Sequence, residues 1–295
     1  MILSILASAT DYVRFEELGL SKTLLTIGFF ELRWYSLAYL AGILVGYWYL
    51  LKLIAQPGAP MARRHADDFI LYATLGIILG GRLGYALFYK PELFVSFTGE
   101  GWVSYDLVRL WDGGMSLHGG VLGVLLAIWW MCRKESLSFL RFCDYVACVV
   151  PFGLFFGRLA NFVNGELWGR PTDVPWAIIF TNTDTANPPL PRHPSQLYEA
   201  ASEGLLMFLI LYWLFWHTQA RYKPGLLVGA AAMIYGISRF VVEFFRNPDA
   251  HLVEFAERTG LSMGQWLTVP MILIGLTLIL TAGKRRVSEP APRQA

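Results

Sequence analysis

Seven apolar stretches dominate the sequence, near 29–51, 69–89, 115–131, 143–161, 196–216, 225–245 and 266–282. At about 20 residues each, they have the length that crosses roughly 30 Å of hydrocarbon. The pattern points to an all-α polytopic membrane protein, a bundle of seven transmembrane helices. Composition agrees. The chain is 55% hydrophobic and 16% charged, with a mean hydropathy of +0.46, whereas soluble globules carry about 25% charged residues. Its 11 tryptophans, many near the ends of apolar runs, match the aromatic belts of membrane proteins.

Charge sets the orientation. The connections 52–66, 132–142, 217–224 and 283–295 carry 3, 2, 2 and 3 net positive charges. The stretches 1–28, 90–114, 162–195 and 246–265 have little basic excess. By the positive-inside rule the first group is cytoplasmic, the amino terminus is outside and the carboxyl terminus inside. Residues 1–28 then form a periplasmic or interfacial arm, 29–282 the seven-helix transmembrane domain, 162–195 a periplasmic loop and 283–295 a cytoplasmic tail. Met1–Thr10 is short and followed by Asp11, Glu16 and Glu17, unlike a standard signal peptide; an arm along the membrane surface is expected. In the proline-rich loop 162–195, Val174–Phe180 reads as a strand and Asn182–Pro191 as turns. Together with 90–114 and 246–265 this loop is expected to build a small head.

Glycines at four-residue spacing (Gly76, Gly80 and Gly84; Gly119 and Gly123; Gly153 and Gly157) let helix backbones approach closely in lipid. They describe packing. The odd number of cysteines, Cys132, Cys143 and Cys148, argues against a disulfide framework, and their spacing fits no metal motif. No HExxH occurs, and Gly80, Gly81 and Gly84 lack the strand and the Lys-Ser/Thr of a phosphate loop. No metal, cofactor or nucleic-acid partner is expected.

Polar groups inside crossings are costly unless paired or useful. Arg158 and Asn161, three residues apart, share a helix face, and Glu166 follows closely. Tyr235, Arg239 and Glu243 step by four along the sixth crossing. Arg82 lies among glycines in the second, ahead of Tyr85 and Tyr89. Glu199 and Glu203 sit one turn apart in the fifth, and Asp144 reads as a cap of the fourth. His118 follows the loop DGGMSLHGG near the outer end of the third, and His193 lies at the outer mouth, where it could orient a loop. Each has a bland reading: Arg158 or Arg239 in a packing ion pair, His118 hydrogen-bonded to a helix. The functional reading is that three arginines, a histidine and several tyrosines gather in the outer half of the bundle. Arginine binds phosphate bidentately and keeps its charge when buried, so a phospholipid headgroup is the anion such a cavity would meet. Imidazole titrates near neutrality and can accept a proton from a nucleophile.

The motifs LRWYSLAYLAG (32–42), GGRLGYALFY (80–89), VRLWDGGMSLHGG (108–120), GRLANFVNGELWG (157–169), RHPSQLYEA (192–200), YGISRFVVEFFRNPD (235–249) and SMGQWLTVP (262–270) resemble the bacterial prolipoprotein diacylglyceryl transferases. One departure is Ala160, where glycine is common. The resemblance implies a multi-pass inner-membrane enzyme. It would move the diacylglyceryl group of phosphatidylglycerol onto the lipobox cysteine of a preprolipoprotein signal peptide and release glycerol phosphate. It implies catalytic roles for His118, Arg239, Glu243 and Tyr35. Arg158, Asn161, Glu166, Gly169, Arg82 and Tyr235 would form the substrate-binding set. The thiol base stays open between His118, Glu243 and none, because a nearby arginine lowers a thiol pKa by itself. The chain is expected to be monomeric. Two alternatives from other classes are a phospholipid carrier and an intramembrane hydrolase. For the latter, Ser116 lies two residues from His118, a spacing that rarely makes a catalytic pair within one helix, and Ser195 could meet His118 only through tertiary folding.

Overall fold

A computed structural model describes residues 12–28, 30–99, 105–247 and 258–288. The expected arm at Met1–Thr10 and residues 248–257 of the stretch 246–265 lie outside the described residues. Two compact units are present, Leu51–Cys143 on the one hand and Met1–Leu50 with Asp144–Ala295 on the other.

The chain is mainly helical: α1 (Trp34–Ile54), α2 (Arg63–Phe88), α3 (Leu117–Lys134), α4 (Phe139–Ala147), α5 (Val150–Asn164), α6 (Ser195–His217), α7 (Leu226–Val242) and α8 (Met263–Thr281). Among the described residues five helical segments are long and apolar enough to cross a membrane. They are α1, α2, the span Phe139–Asn164 made of α4 and α5, α6 and Met263–Arg285. Seven were expected. The other two stretches are helices, but α7 has only 17 residues, and the 18-residue α3 opens on His118 and two glycines and closes on Arg133 and Lys134. The first helix also starts later than expected. Phe30–Arg33 pairs as an antiparallel strand (β3) with Thr23–Ile27 (β2), so the boundary placed at 28 falls inside a hairpin.

In the unit 51–143, α2 and α3 pack at glycine–glycine distance. A Cβ on Gly76 would lie 2.7 Å from the Gly123 carbonyl oxygen, and one on Gly80 would lie 3.0 Å from Gly123 Cα. Lipid tails are as apolar as leucine, so burying apolar area drives helices together very little in a membrane. Close backbone packing and polar pairs supply the cohesion.

The other unit carries a small head. Val13–Arg14 (β1) runs parallel to Ile178–Ile179 (β4), and β4 is antiparallel to Pro191–Arg192 (β5). Of the strand expected over Val174–Phe180, only Ile178–Ile179 forms. Phe15, Ile178 and Phe180 are buried together, with Leu20, Phe162 and Trp168 packed on them. Phe162 belongs to the last turn of α5, so the head is seated on the end of that helix. Gly165 ends α5 in the left-handed conformation (φ 66°), which glycine adopts without a Cβ penalty.

Asp144 has a different role from the one expected. It sits within α4, fully buried, and caps another helix. It accepts the backbone N–H of Gly225 at 2.7 Å and of Val228 at 2.8 Å, which satisfies orphan donors at the start of α7. In turn α7 packs closely on α8, since a Cβ on Gly275 would meet the Gly229 carbonyl oxygen at 2.7 Å.

Candidate functional site

Arg158 and Asn161 project from one face near the end of α5. The turn at Gly165 brings the chain back so that the Glu166 carboxylate accepts Asn161 Nδ2 at 2.9 Å and Asn164 Nδ2 at 3.2 Å. The start of α6 is fixed to the same turn. Gln196 Nε2 donates to the Glu166 carbonyl at 2.6 Å and Ser195 Oγ to the Leu167 carbonyl at 3.0 Å. These contacts give the Glu166 and Leu167 carbonyls of the turn their partners.

Between α5, α6 and α7 lies a cluster of opposite charges. Arg158 Nε is 3.0 Å from Glu199 Oε2, and Arg158 Nη2 is 3.6 Å from Glu203 Oε2. Arg239 Nη1 lies 2.5 Å from Glu199 Oε1 and 3.9 Å from Glu203 Oε1. Arg239 Nε lies 3.3 Å from Glu243 Oε2, and Arg246 Nη1 lies 3.9 Å from the same oxygen. Glu199 and Glu203 are fully buried. Their helix is π-wound over Ala200–Leu206, a local irregularity that recurs at functional sites. Gly204, next to Glu203, allows the approach: a Cβ there would meet Phe155 Cβ at 2.7 Å, one turn before Arg158. Tyr235, one turn before Arg239, interacts electrostatically with Glu203, Arg239, Arg158 and Glu199.

Tyr35 stands near the start of α1, with its hydroxyl 3.4 Å from that of Tyr39. Tyr39 in turn interacts electrostatically with Arg158 and Glu166. What Gly169 needs is the absence of a side chain. Its N–H donates to the His193 carbonyl at 2.8 Å, it bridges to Arg246, and a Cβ would meet His193 Cβ at 2.7 Å.

Arg82 and His118 belong to the other unit. Arg82 is buried and spends its guanidinium on the loop that precedes α3. Nε donates to Leu107 O at 2.8 Å, Nη2 to Asp106 O at 2.6 Å and Arg109 O at 3.0 Å, and Nη1 to the carbonyls of Gly113 and Gly114. Five carbonyls on one planar fork pin that loop. Asp106 itself is held below the usual carboxylate range by hydrogen bonding from Thr98. Ser116 caps α3, its side chain accepting the Gly119 N–H at 3.3 Å. His118 is exposed in the first turn of α3.

The head is locked beside the site. Arg192 Nε lies 2.7 Å from Asp184 Oδ2 and its Nη2 3.1 Å from Oδ1, and the guanidinium stacks 4.0 Å over the Trp168 ring. Burial alone would raise the Asp184 pKa. The Arg192 hydrogen bonds and charge, with the N–H groups of Ala186 and Leu190, outweigh it and hold the carboxyl below its usual range. Burial pushes the His193 imidazole down against the pull of Asp173, and its Nδ1 sits 3.1 Å from the Tyr198 hydroxyl.

The fold thus brings Arg158, Arg239, Glu243 and Tyr235 together, and seats Asn161 against Glu166. Glu199 and Glu203 stand one turn apart in the sequence with nothing there to give them a role. Two carboxylates one turn apart in an apolar helix require cationic partners, and that was the available signal. Tyr39 and Arg246 carried none that separates them from other aromatic and basic residues at helix ends.

The family model described as "Prolipoprotein diacylglyceryl transferase" matches residues 22–281. The phosphatidylglycerol–prolipoprotein diacylglyceryl transferase of Erythrobacter litoralis is 53% identical over 289 residues, covering 98% of each chain. The protein of that name from Zymomonas mobilis is 48% identical over 285 residues, 94% of this chain and 95% of that one. The one from Rhodospirillum rubrum is 47% identical over 270 residues, 91% of this chain and 94% of that one. With matches of this length, on the motifs that build the charged cluster, the chain belongs to the prolipoprotein diacylglyceryl transferase family.

Proposed function

We propose that this chain is a phosphatidylglycerol–prolipoprotein diacylglyceryl transferase of the bacterial inner membrane. It transfers the sn-1,2-diacylglyceryl group of phosphatidylglycerol to the cysteine thiol of a preprolipoprotein signal peptide. The observation that carries the reading is the Arg158–Arg239 pair, bridged by Glu199 where α5, α6 and α7 meet, in a chain of this family.

The reaction breaks the bond between the glyceryl C3 carbon and its phosphate oxygen and forms a carbon–sulfur bond. The thiol loses its proton, and glycerol phosphate leaves. Charge grows on the departing phosphate, so fixed cations there lower the barrier. The Glu contacts engage Nε and Nη2 of Arg158 and Nε and Nη1 of Arg239. Arg158 Nη1 and Arg239 Nη2 are the donors assigned to the phosphate. Asn161, held by Glu166, and Tyr35 orient the headgroup through hydrogen bonds, and Tyr235 lines the same face. Arg82 and Gly169 serve binding by fixing loops. His118 or Glu243 takes the thiol proton, unless the arginines lower the thiol pKa enough. All seven helices cross the membrane in this reading, with the amino terminus periplasmic and the basic carboxyl tail cytoplasmic.

The test combines purified protein, phosphatidylglycerol vesicles and a lipobox peptide, followed by peptide mass and released glycerol phosphate. Both products should appear together, and neither with a peptide whose cysteine is replaced by serine. Lipid cleavage without peptide modification would instead identify a hydrolase, and lipid binding with neither product a carrier. His118→Gln with near wild-type turnover would remove His118 as the base.

A further inference from the structure

We propose that Gly264 is a positioning residue that sets where the Glu243 carboxylate stands. The inference rests on the reading of Glu243 as a site residue. Glu243 follows the last residue of α7 and is buried. Its carboxylate faces Arg239 Nε at 3.3 Å and Arg246 Nη1 at 3.9 Å. On another side it is packed against the first turn of α8. A Cβ built on Gly264 would stand 2.9 Å from Glu243 Cδ and 2.9 Å from each of its two carboxylate oxygens, where ordinary contact begins at 3.4 Å.

The two backbones are tied to each other. The start of α8 is tied by a reciprocal cap, Ser262 N–H to Gln265 Oε1 at 3.0 Å and Gln265 N–H to Ser262 Oγ at 3.1 Å. Gln265 Nε2 donates to the Phe240 carbonyl at 3.2 Å, which joins that turn to the end of α7. The two helices also meet along their length, with a Cβ on Gly236 coming 2.7 Å from Ile272 Cγ1. Gly264 is therefore held against Glu243 by contacts that do not involve the carboxylate.

The nearest atoms an added methyl would meet all belong to the end of the Glu243 side chain. The backbone has no reason to move, so the carboxylate must. It would leave its place beside Arg239, and misplacement of a reacting constellation by about 1 Å costs on the order of 100-fold in rate. The wall that positions Glu243 is thus a missing side chain on the neighbouring helix.

The experiment is a double-mutant cycle on the full-length protein in phosphatidylglycerol vesicles, read as peptide diacylglyceryl transfer, with thermal stability measured alongside. Gly264→Ala is expected to lower turnover by about 10- to 100-fold. Glu243→Asp, one methylene shorter, makes room for the methyl, so Gly264→Ala in that background should cost less than threefold. Equal losses in both backgrounds, or wild-type turnover in Gly264→Ala, would overturn the proposal. If Gly264→Ala fails to fold alone but folds with Glu243→Asp, the steric account stands; failure in both overturns it. Glu243→Ala with full activity would sink the site assignment itself, whereas an inactive Glu243→Ala beside an unaffected Gly264→Ala sinks only this inference.

Discussion

Glu199 Oε1 and Arg239 Nη1 lie 2.5 Å apart on side chains that are 1% and 13% exposed. The other oxygen of the same carboxylate faces Arg158 Nε at 3.0 Å. One buried anion therefore orders two cations carried by different helices. Losing one partner of a buried ion pair costs about 3–5 kcal/mol, because a charge is left uncompensated. Glu199→Gln keeps an acceptor oxygen and removes the charge, so the arginines gain net attraction for an anionic headgroup while losing their alignment. We expect the KM for phosphatidylglycerol to fall and kcat to drop at least about tenfold. Steady-state kinetics in mixed vesicles check it, and unchanged kcat would show that Glu199 does not align the arginines.

Asp144 supports the same site from the far end of α7. It is fully buried and satisfies two N–H donors of that helix, at 2.7 and 2.8 Å. Asp144→Ala leaves both donors unpaired, at about 1–3 kcal/mol each. The expected result is a clear fall in melting temperature in detergent, with Asp144→Asn recovering part of it. Equal losses for the two variants would mean that the cap's hydrogen bonding contributes little.

Much of this is legible in the sequence. Arg239 and Glu243, at four-residue spacing, had to share a helix face, and they pair at 3.3 Å. Gly76 and Gly80 marked a close helix contact because only small residues permit one. The targets of Arg82 were not legible. An arginine among glycines reads equally as a phosphate ligand or a loop anchor, and only the fold brings five carbonyls to it. Asp144 misled for a related reason: cap chemistry is visible in sequence, but the helix it caps begins 81 residues away. The seven crossings expected from the sequence are five among the described residues by length and composition: α7 is apolar but only 17 residues long, and α3 carries His118 near its start and Arg133 and Lys134 at its end.

The head is expected to loosen in acid. The Asp184 carboxyl titrates below its ordinary value when folded, and its unfolded value is about 3.9. A depressed carboxylate contributes stability that is fully present above the unfolded pKa and is lost as pH falls through the folded one. Hydrogen exchange over residues 178–192 should therefore stay slow from neutral pH to about pH 4, after correction for intrinsic rates, and accelerate below it. Arg192→Ala should remove the acid transition by loosening the segment at every pH, by about 3–5 kcal/mol of local stability. A transition that persists in Arg192→Ala would place its origin elsewhere.

Two glycine-to-alanine substitutions should act in opposite directions. Alanine is better than glycine inside a helix by about 0.8–1 kcal/mol. At Gly157 a Cβ meets nothing within 4 Å, so that gain is unopposed and Gly157→Ala should hold or raise the melting temperature. At Gly76 the Cβ would lie 2.7 Å from the Gly123 carbonyl oxygen and 2.8 Å from its carbon. Those are backbone atoms of a packed helix, and relieving the overlap means moving α2 away from α3. Overpacking of this kind costs about 1–3 kcal/mol, which exceeds the propensity gain, so Gly76→Ala should melt earlier. Thermal unfolding of both variants in one detergent checks the pair, and a stabilised Gly76→Ala would show that the α2–α3 contact is looser than the glycine spacing implies.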